Sequence, residues 1–166
     1  MHISRLKELL PEEDAHKFKK IGNIILDENK AAGYSYTKTE EWNPTHCGWV
    51  YIITENDHII KIGMTNTTLN SRFSSYQAGT QKARNKGTCS VTNYNCSEYF
   101  RKNLRTGNKI SIFAYPVEEM KTSRSIFGKD ASFLLKSAAT YESALLSLYS
   151  EQNSGKYPIL CNNTSI

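Results

Sequence analysis

The stretch Gly48–Thr80, GWVYIITENDHIIKIGMTNTTLNSRFSSYQAGT, decides how this chain is read. Up to Gly63 it consists largely of strand formers, yet its second apolar run places Lys61 between Ile60 and Ile62. Trp49–Thr54 and Ile59–Gly63 are two short β-rich runs separated by ENDH, which has turn chemistry, so a hairpin is predicted. Side chains alternate across a strand, so the face that Lys61 occupies depends on register. A three-residue loop, with Thr54 facing His58, puts Tyr51 directly opposite Lys61. A two- or four-residue loop puts them on opposite faces and leaves Lys61 as an edge lysine that blunts strand pairing.

After the hairpin, Thr67 or Thr68 caps a helix in which Leu69, Phe73 and Tyr76 share a face, and Gly79 ends it. Arg72 and Tyr76 are one turn apart on that helix. An arginine so placed suits the bidentate grip of a phosphate, although a helix arginine is also a common surface residue.

The 166-residue chain carries 21 Lys+Arg against 16 Asp+Glu, a net +5, and is long enough for one domain with a real core. The charge is concentrated: eight basic residues against the single acid Glu98 lie between Arg72 and Lys109, +7 in that segment, so the remainder is −2. Lys82, Arg84, Lys86, Arg101, Lys102 and Arg105, interleaved with aromatic and amide side chains, are what a phosphate-tracking surface requires. A solvated basic face is the bland alternative. The four cysteines show no C-x-x-C pair, so zinc-ligand spacing is missing and free thiols in a reducing cytoplasm are expected. No apolar signal segment and no run of membrane-spanning length is present, and no membrane partner is expected.

Residues 1–45 read as an N-terminal helical arm, with helical patterns in ISRLKELL and AHKFKKIGNIIL, and GYSYTKTEEWNP as a connecting loop. The arm is a candidate DNA-gripping or dimer element. Residues 46–166 form the main domain. Its basic insertion, at about 80–109, shows no clear periodicity. KISIFAYPV returns to strand character, and a long helix is predicted from about Asp130 to Asn153 on a stripe of Leu134, Ala138, Tyr141, Leu145 and Leu148. The expected fold class is α+β: a small antiparallel three-stranded sheet flanked by helices, preceded by the arm. Glu142 sits at the margin of the last helix's apolar stripe, beside Ala138, Ala139, Leu145 and Leu146. A half-buried carboxylate there needs a divalent cation or a protein partner.

WVYII, IKIG ten residues on, Arg72 with Tyr76, YESALLSLY and GKYPILCNN, in that order, resemble the GIY-YIG endonuclease superfamily over residues 48–79 and 141–163. KISIFAYPV would supply the family's third strand. Trp49 stands where the first motif usually has glycine, and Lys61 replaces the tyrosine of the second. The KIG variant is similar to compact type II restriction endonucleases, and to related phage and mobile-element proteins. The resemblance implies an endodeoxyribonuclease that hydrolyses double-stranded DNA with one Mg²⁺ or Mn²⁺ per active site, as a homodimer. Tyr51 would be the base and Lys61 would favour its phenolate. Arg72 would hold the phosphate and Tyr76 position water or phosphate. Glu142 would ligate the metal, and Asn162, or failing that Asn163, would brace the site. A non-catalytic nucleic-acid-binding module is the rival expectation.

Overall fold

The computed structural model describes residues 1–118, 120–135 and 137–161. After a single 3-10 turn at Ile3–Arg5 come α1 (Leu6–Leu9), α2 (Glu12–Lys17), β1 (Lys19–Leu26), β2 (Tyr34–Lys38), β3 (Trp49–Glu55) and β4 (His58–Thr65). There follow α3 (Leu69–Gln77), α4 (Gln81–Asn85), α5 (Val91–Arg105), β5 (Ile110–Pro116), β6 (Met120–Ile126), β7 (Lys129–Leu135) and α6 (Ala138–Gln152), then a 3-10 turn at Ile159–Cys161. The α+β class stands. The sheet, however, has five strands in the order β2-β1-β5-β3-β4, all neighbours antiparallel, rather than three.

The two additional strands come from the segment expected to be a helical arm. Ile21 and Ile24 of KKIGNIIL are buried at a spacing that a helix also satisfies. What decides for β is pairing on both sides, with β2 and with β5. Gly22 permits it: a Cβ there would lie 2.1 Å from the Thr37 carbonyl oxygen of β2. Only the short α1 and α2 remain of the arm, and residues 19–38 belong to the same sheet as β3 and β4.

Two further expectations change. The segment 80–108 is helical: Thr80 and Ser90 cap α4 and α5 by accepting from Ala83 N and Asn93 N. Cys96, Phe100 and Leu104 are the buried stripe of α5, at four-residue spacing. The long C-terminal helix begins only at Ala138, because Phe127 and Gly128, both at positive φ, reverse the chain and pair β6 with β7.

The sheet separates two apolar layers. One face carries Trp49, Tyr51, Ile53 and Ile112 against Leu69, Phe73 and Tyr76 of α3 and the α5 stripe. The other carries Val50, Ile52 and Ile62 against Leu6, Leu9, Ala138, Leu145 and Tyr149. Each large side chain so buried contributes about 1.5–3 kcal/mol. Burial on both faces accounts for the nearly unbroken apolar run of β3.

Candidate active site

Tyr51 of β3 is fully buried and pairs with Gly63 of β4. Its ring lies across Gly63 so closely that a Cβ at that position would be 2.5 Å from the phenolic oxygen. Helix α3 meets it from the same side, its first turn secured by the Thr68 side chain accepting from Ser71 N. Phe73 packs between the two tyrosines, with ring centroids 5.3 Å from Tyr51 and 5.8 Å from Tyr76. That packing brings three polar groups together. Arg72 donates through Nε to the Tyr51 oxygen at 2.8 Å and through Nη2 to the Tyr76 oxygen at 3.0 Å. The two phenolic oxygens are 2.7 Å apart. The bond between them uses one hydroxyl proton, so the other phenol keeps a proton to donate outward.

Burial pushes the Tyr51 phenol up to about 12, opposed by the adjacent Arg72 charge and the bond to Tyr76. Burial raises Tyr76 well above the ordinary tyrosine value as well. Desolvation works against the Arg72 charge, but the two phenols outweigh it and the guanidinium stays firmly protonated. It also lies 4.5 Å from the Tyr76 ring centroid, a cation–π contact.

Lys61 does not sit directly opposite Tyr51. The loop Asn56–Asp57 has two residues, both at positive φ as a type I′ turn requires, and Lys61 pairs with Ile53. A two-residue loop alone would turn Lys61 away from Tyr51. An extra residue in β4, opposite the step from Ile53 to Thr54, restores it to the Tyr51 face one pair further along. Lys61 is 6% exposed and donates to the Leu160 carbonyl at 2.8 Å. The cation at the Tyr51 hydroxyl is therefore Arg72, not Lys61. Cys161, unassigned by the sequence, holds the same segment in place: its Sγ accepts from Ile62 N and donates to Ile62 O, both at 3.2 Å, along the open edge of β4. The PILC stretch carried that signal, but a lone cysteine gives no spacing to read. Asn162 and Asn163 lie outside the described residues.

Glu142 stands in the second turn of α6, which packs along β3 and β4. It is half-buried, and burial raises its pKa while Lys61 and Arg72 pull it down. Glu142 thus feels both positive charges, although α6 packs on the Val50–Ile52 side of the sheet and Tyr51 lies on the other. Among the described residues Glu142 takes part in none of the ion pairs.

No family model and no curated protein matches the chain in sequence. Solved structures do match. The chain is similar to restriction endonuclease HPY188I in complex with product DNA, with a TM-score of 0.57 at 24% identity over 98% of this chain and 92% of that one. It is also similar to a mutant of bacteriophage T4 EndoII, with a TM-score of 0.58 at 19% identity over 90% of this chain and 95% of that one. The chain shares its fold with these two proteins.

The basic candidates fall into two groups. Lys82 and Arg84 of α4 and Lys86 at its end are exposed, as is Lys102 of α5. Arg101 is bonded to Glu98, and Arg105 reaches Glu28 at 3.1 Å. Both pairs are accessible to solvent, where such contacts contribute little and yield readily to a competing phosphate. No helix among the described residues is long and apolar enough to cross a membrane.

Proposed function

We propose that this chain is a metal-dependent endonuclease of the GIY-YIG superfamily that hydrolyses double-stranded DNA, a site-specific type II restriction enzyme acting as a cytoplasmic homodimer. One observation carries the reading: the Tyr51–Arg72–Tyr76 hydrogen-bonded cluster, with Glu142 close enough to feel the charge of Arg72 and Lys61. Phosphodiester hydrolysis needs a group to take a proton from water and fixed positive charge where the phosphate develops negative charge. The cluster holds both within hydrogen-bonding distance. The free thiols suit a reducing compartment.

The residues present fit a hard divalent cation. No group of three His, Cys, Asp or Glu is assembled among the described residues, so Glu142 would be the protein ligand, with water and substrate oxygens as the rest of the shell. Mg²⁺ is habitually held this way, by one or two carboxylates plus phosphate. A cation held by Glu142 would supply positive charge to neutralise the scissile phosphate, while Arg72 is the charge that favours the Tyr51 phenolate. Arg72 keeps Nε and Nη2 on the two phenols and offers its remaining N–H groups to a non-bridging phosphate oxygen. Tyr51 takes the proton of the attacking water, and Tyr76, still hydrogen-bonded to Tyr51, orients water or phosphate. Lys61 acts at one remove, tying the segment that ends at Cys161 to β4 and adding positive charge near Glu142. The exposed basic side chains of α4 and α5 track the backbone of the duplex.

The test is incubation of purified protein with plasmid DNA in Mg²⁺, in Mn²⁺ and in chelator. Discrete fragments in the metal lanes alone are expected. A smear contradicts site specificity, and intact DNA in every lane contradicts the nuclease reading.

A further inference from the structure

The hairpin β6–β7 forms a two-stranded sheet of its own, and residues 121–130 are exposed on both of its faces. A free two-stranded hairpin is marginally stable in water, so such a ribbon calls for something to lie against it. Its tip sharpens the point. The two hairpins closed by two-residue turns, β3–β4 and β6–β7, each hold both turn residues at positive φ. In the β3–β4 turn they are Asn56 and Asp57, residue types that tolerate that conformation. In the β6–β7 turn the first is Phe127, at φ 51, with its side chain fully exposed. A bulky aromatic there is disfavoured by its own backbone and shields no core. Ile126 beside it is 39% exposed.

We propose that the β6–β7 hairpin is a DNA-clasping arm, with Phe127 as an apolar wedge inserted between base pairs. The inference rests on the DNA-cleaving reading above. Charge chooses the occupant: Met120–Leu135 carries Lys121, Arg124 and Lys129 against the single acid Asp130. Register places Arg124, Ala131, Ile126 and Lys129 on one face of the ribbon, so two cations flank the approach to the tip. Two copies of so basic an arm repel one another, whereas a duplex attracts both. Apolar side chains between base steps, with basic side chains on the flanking phosphates, are a general way of bending DNA from the minor groove. Seven-residue strands at roughly 3.4 Å per residue give an arm about 20 Å long, enough to reach across a groove. The arm is also attached where it matters: β7 leads into α6, which carries Glu142 in its second turn.

The test uses the full chain in a Glu142→Gln background, which keeps DNA uncut, and a short duplex spanning a mapped cut site with 2-aminopurine at successive positions. Unstacking at one step is expected as enhanced fluorescence on binding. Phe127→Asn should abolish that enhancement and weaken binding about fivefold to hundredfold, the range that base–aromatic stacking supplies. Asparagine improves the turn, so misfolding does not explain such a loss. Phe127→Trp should retain both signals, and neutralising Lys121, Arg124 and Lys129 should flatten the salt dependence of binding. Wild-type-like binding and fluorescence in Phe127→Asn overturn the inference while leaving the nuclease reading intact. A change in the sedimentation of the DNA-free Phe127→Asn protein makes the arm an interface between copies and likewise overturns it. If the parent enzyme cuts no DNA, the nuclease reading fails and takes the inference with it.

Discussion

The ring of Tyr51 lies across the backbone of Gly63, where even a methyl group would come within 2.5 Å of the phenolic oxygen. Gly63 is thus a space requirement set by its cross-strand partner, which explains why a glycine follows the KI of IKIG. Gly63→Ala should displace the phenol, break its bonds to Arg72 and Tyr76, and cost about 1–3 kcal/mol, the usual penalty of overpacking. Urea denaturation and a plasmid assay on the same preparation check it. Unchanged stability with full cleavage would show that the ring has room to move.

The pH profile separates the two cations. Wild-type single-turnover cleavage should rise with pH through the neutral and mildly alkaline range, because burial holds the Tyr51 phenol high. Arg72→Lys retains a charge but loses the fork that bonds both phenols, so the rate should fall and the rise should move to higher pH. Lys61→Met should leave the position of the rise unchanged, because the Lys61 ammonium is bonded to Leu160 O rather than to Tyr51. It should instead cost about 1–3 kcal/mol by orphaning a buried carbonyl. A Lys61→Met profile displaced as far as that of Arg72→Lys would return Lys61 to the Tyr51 hydroxyl.

Glu142→Gln should remove cleavage without weakening the fold. Burial raises the Glu142 pKa despite two nearby cations, so its ionised form at neutral pH is a small burden on the native state. The metal-free variant should melt at or above the wild-type temperature. Mg²⁺ should stabilise the wild type and not the variant, by linkage to the native state. A variant that melts well below wild type would mean that Glu142 has a structural partner.

Stability should fall steeply in alkali. Tyr34 and Tyr51 are both raised to about 12 by burial, against about 10 in the unfolded chain, and Tyr36 and Tyr76 are shifted the same way. Unfolding releases protons once the pH exceeds the unfolded value. The contribution of these groups is therefore intact below about pH 10 and lost as pH climbs toward 12. Urea midpoints measured across that window should decline, and Tyr34→Phe should blunt the decline. A flat midpoint to pH 12 would contradict the burial of these phenols.

The sequence carried the hairpin, helix α3 with Arg72 and Tyr76 on one face, and Glu142 at the margin of an apolar stripe. All of these are local patterns. What it did not carry was set by partners far along the chain. KKIGNIIL satisfies a helical period, and only pairing with β2 and β5 makes it a strand. The extra residue in β4 leaves no mark in the sequence HIIKIGMT, yet it decides that Lys61 pairs with Ile53 and leaves the Tyr51 hydroxyl to Arg72. Helix α5 hid because only three of its fifteen residues, Cys96, Phe100 and Leu104, are apolar and buried.

The most direct measurement is single-turnover cleavage by Tyr51→Phe beside wild type, in saturating Mg²⁺, with DNA affinity measured in parallel. The change removes one hydroxyl and leaves Arg72 Nε without its partner, which costs about 1–3 kcal/mol of stability and spares the fold. The account predicts near-normal DNA binding with cleavage reduced by at least about a hundredfold, the contribution expected of a general base. A Tyr51→Phe protein that binds and cuts at the wild-type rate would contradict it.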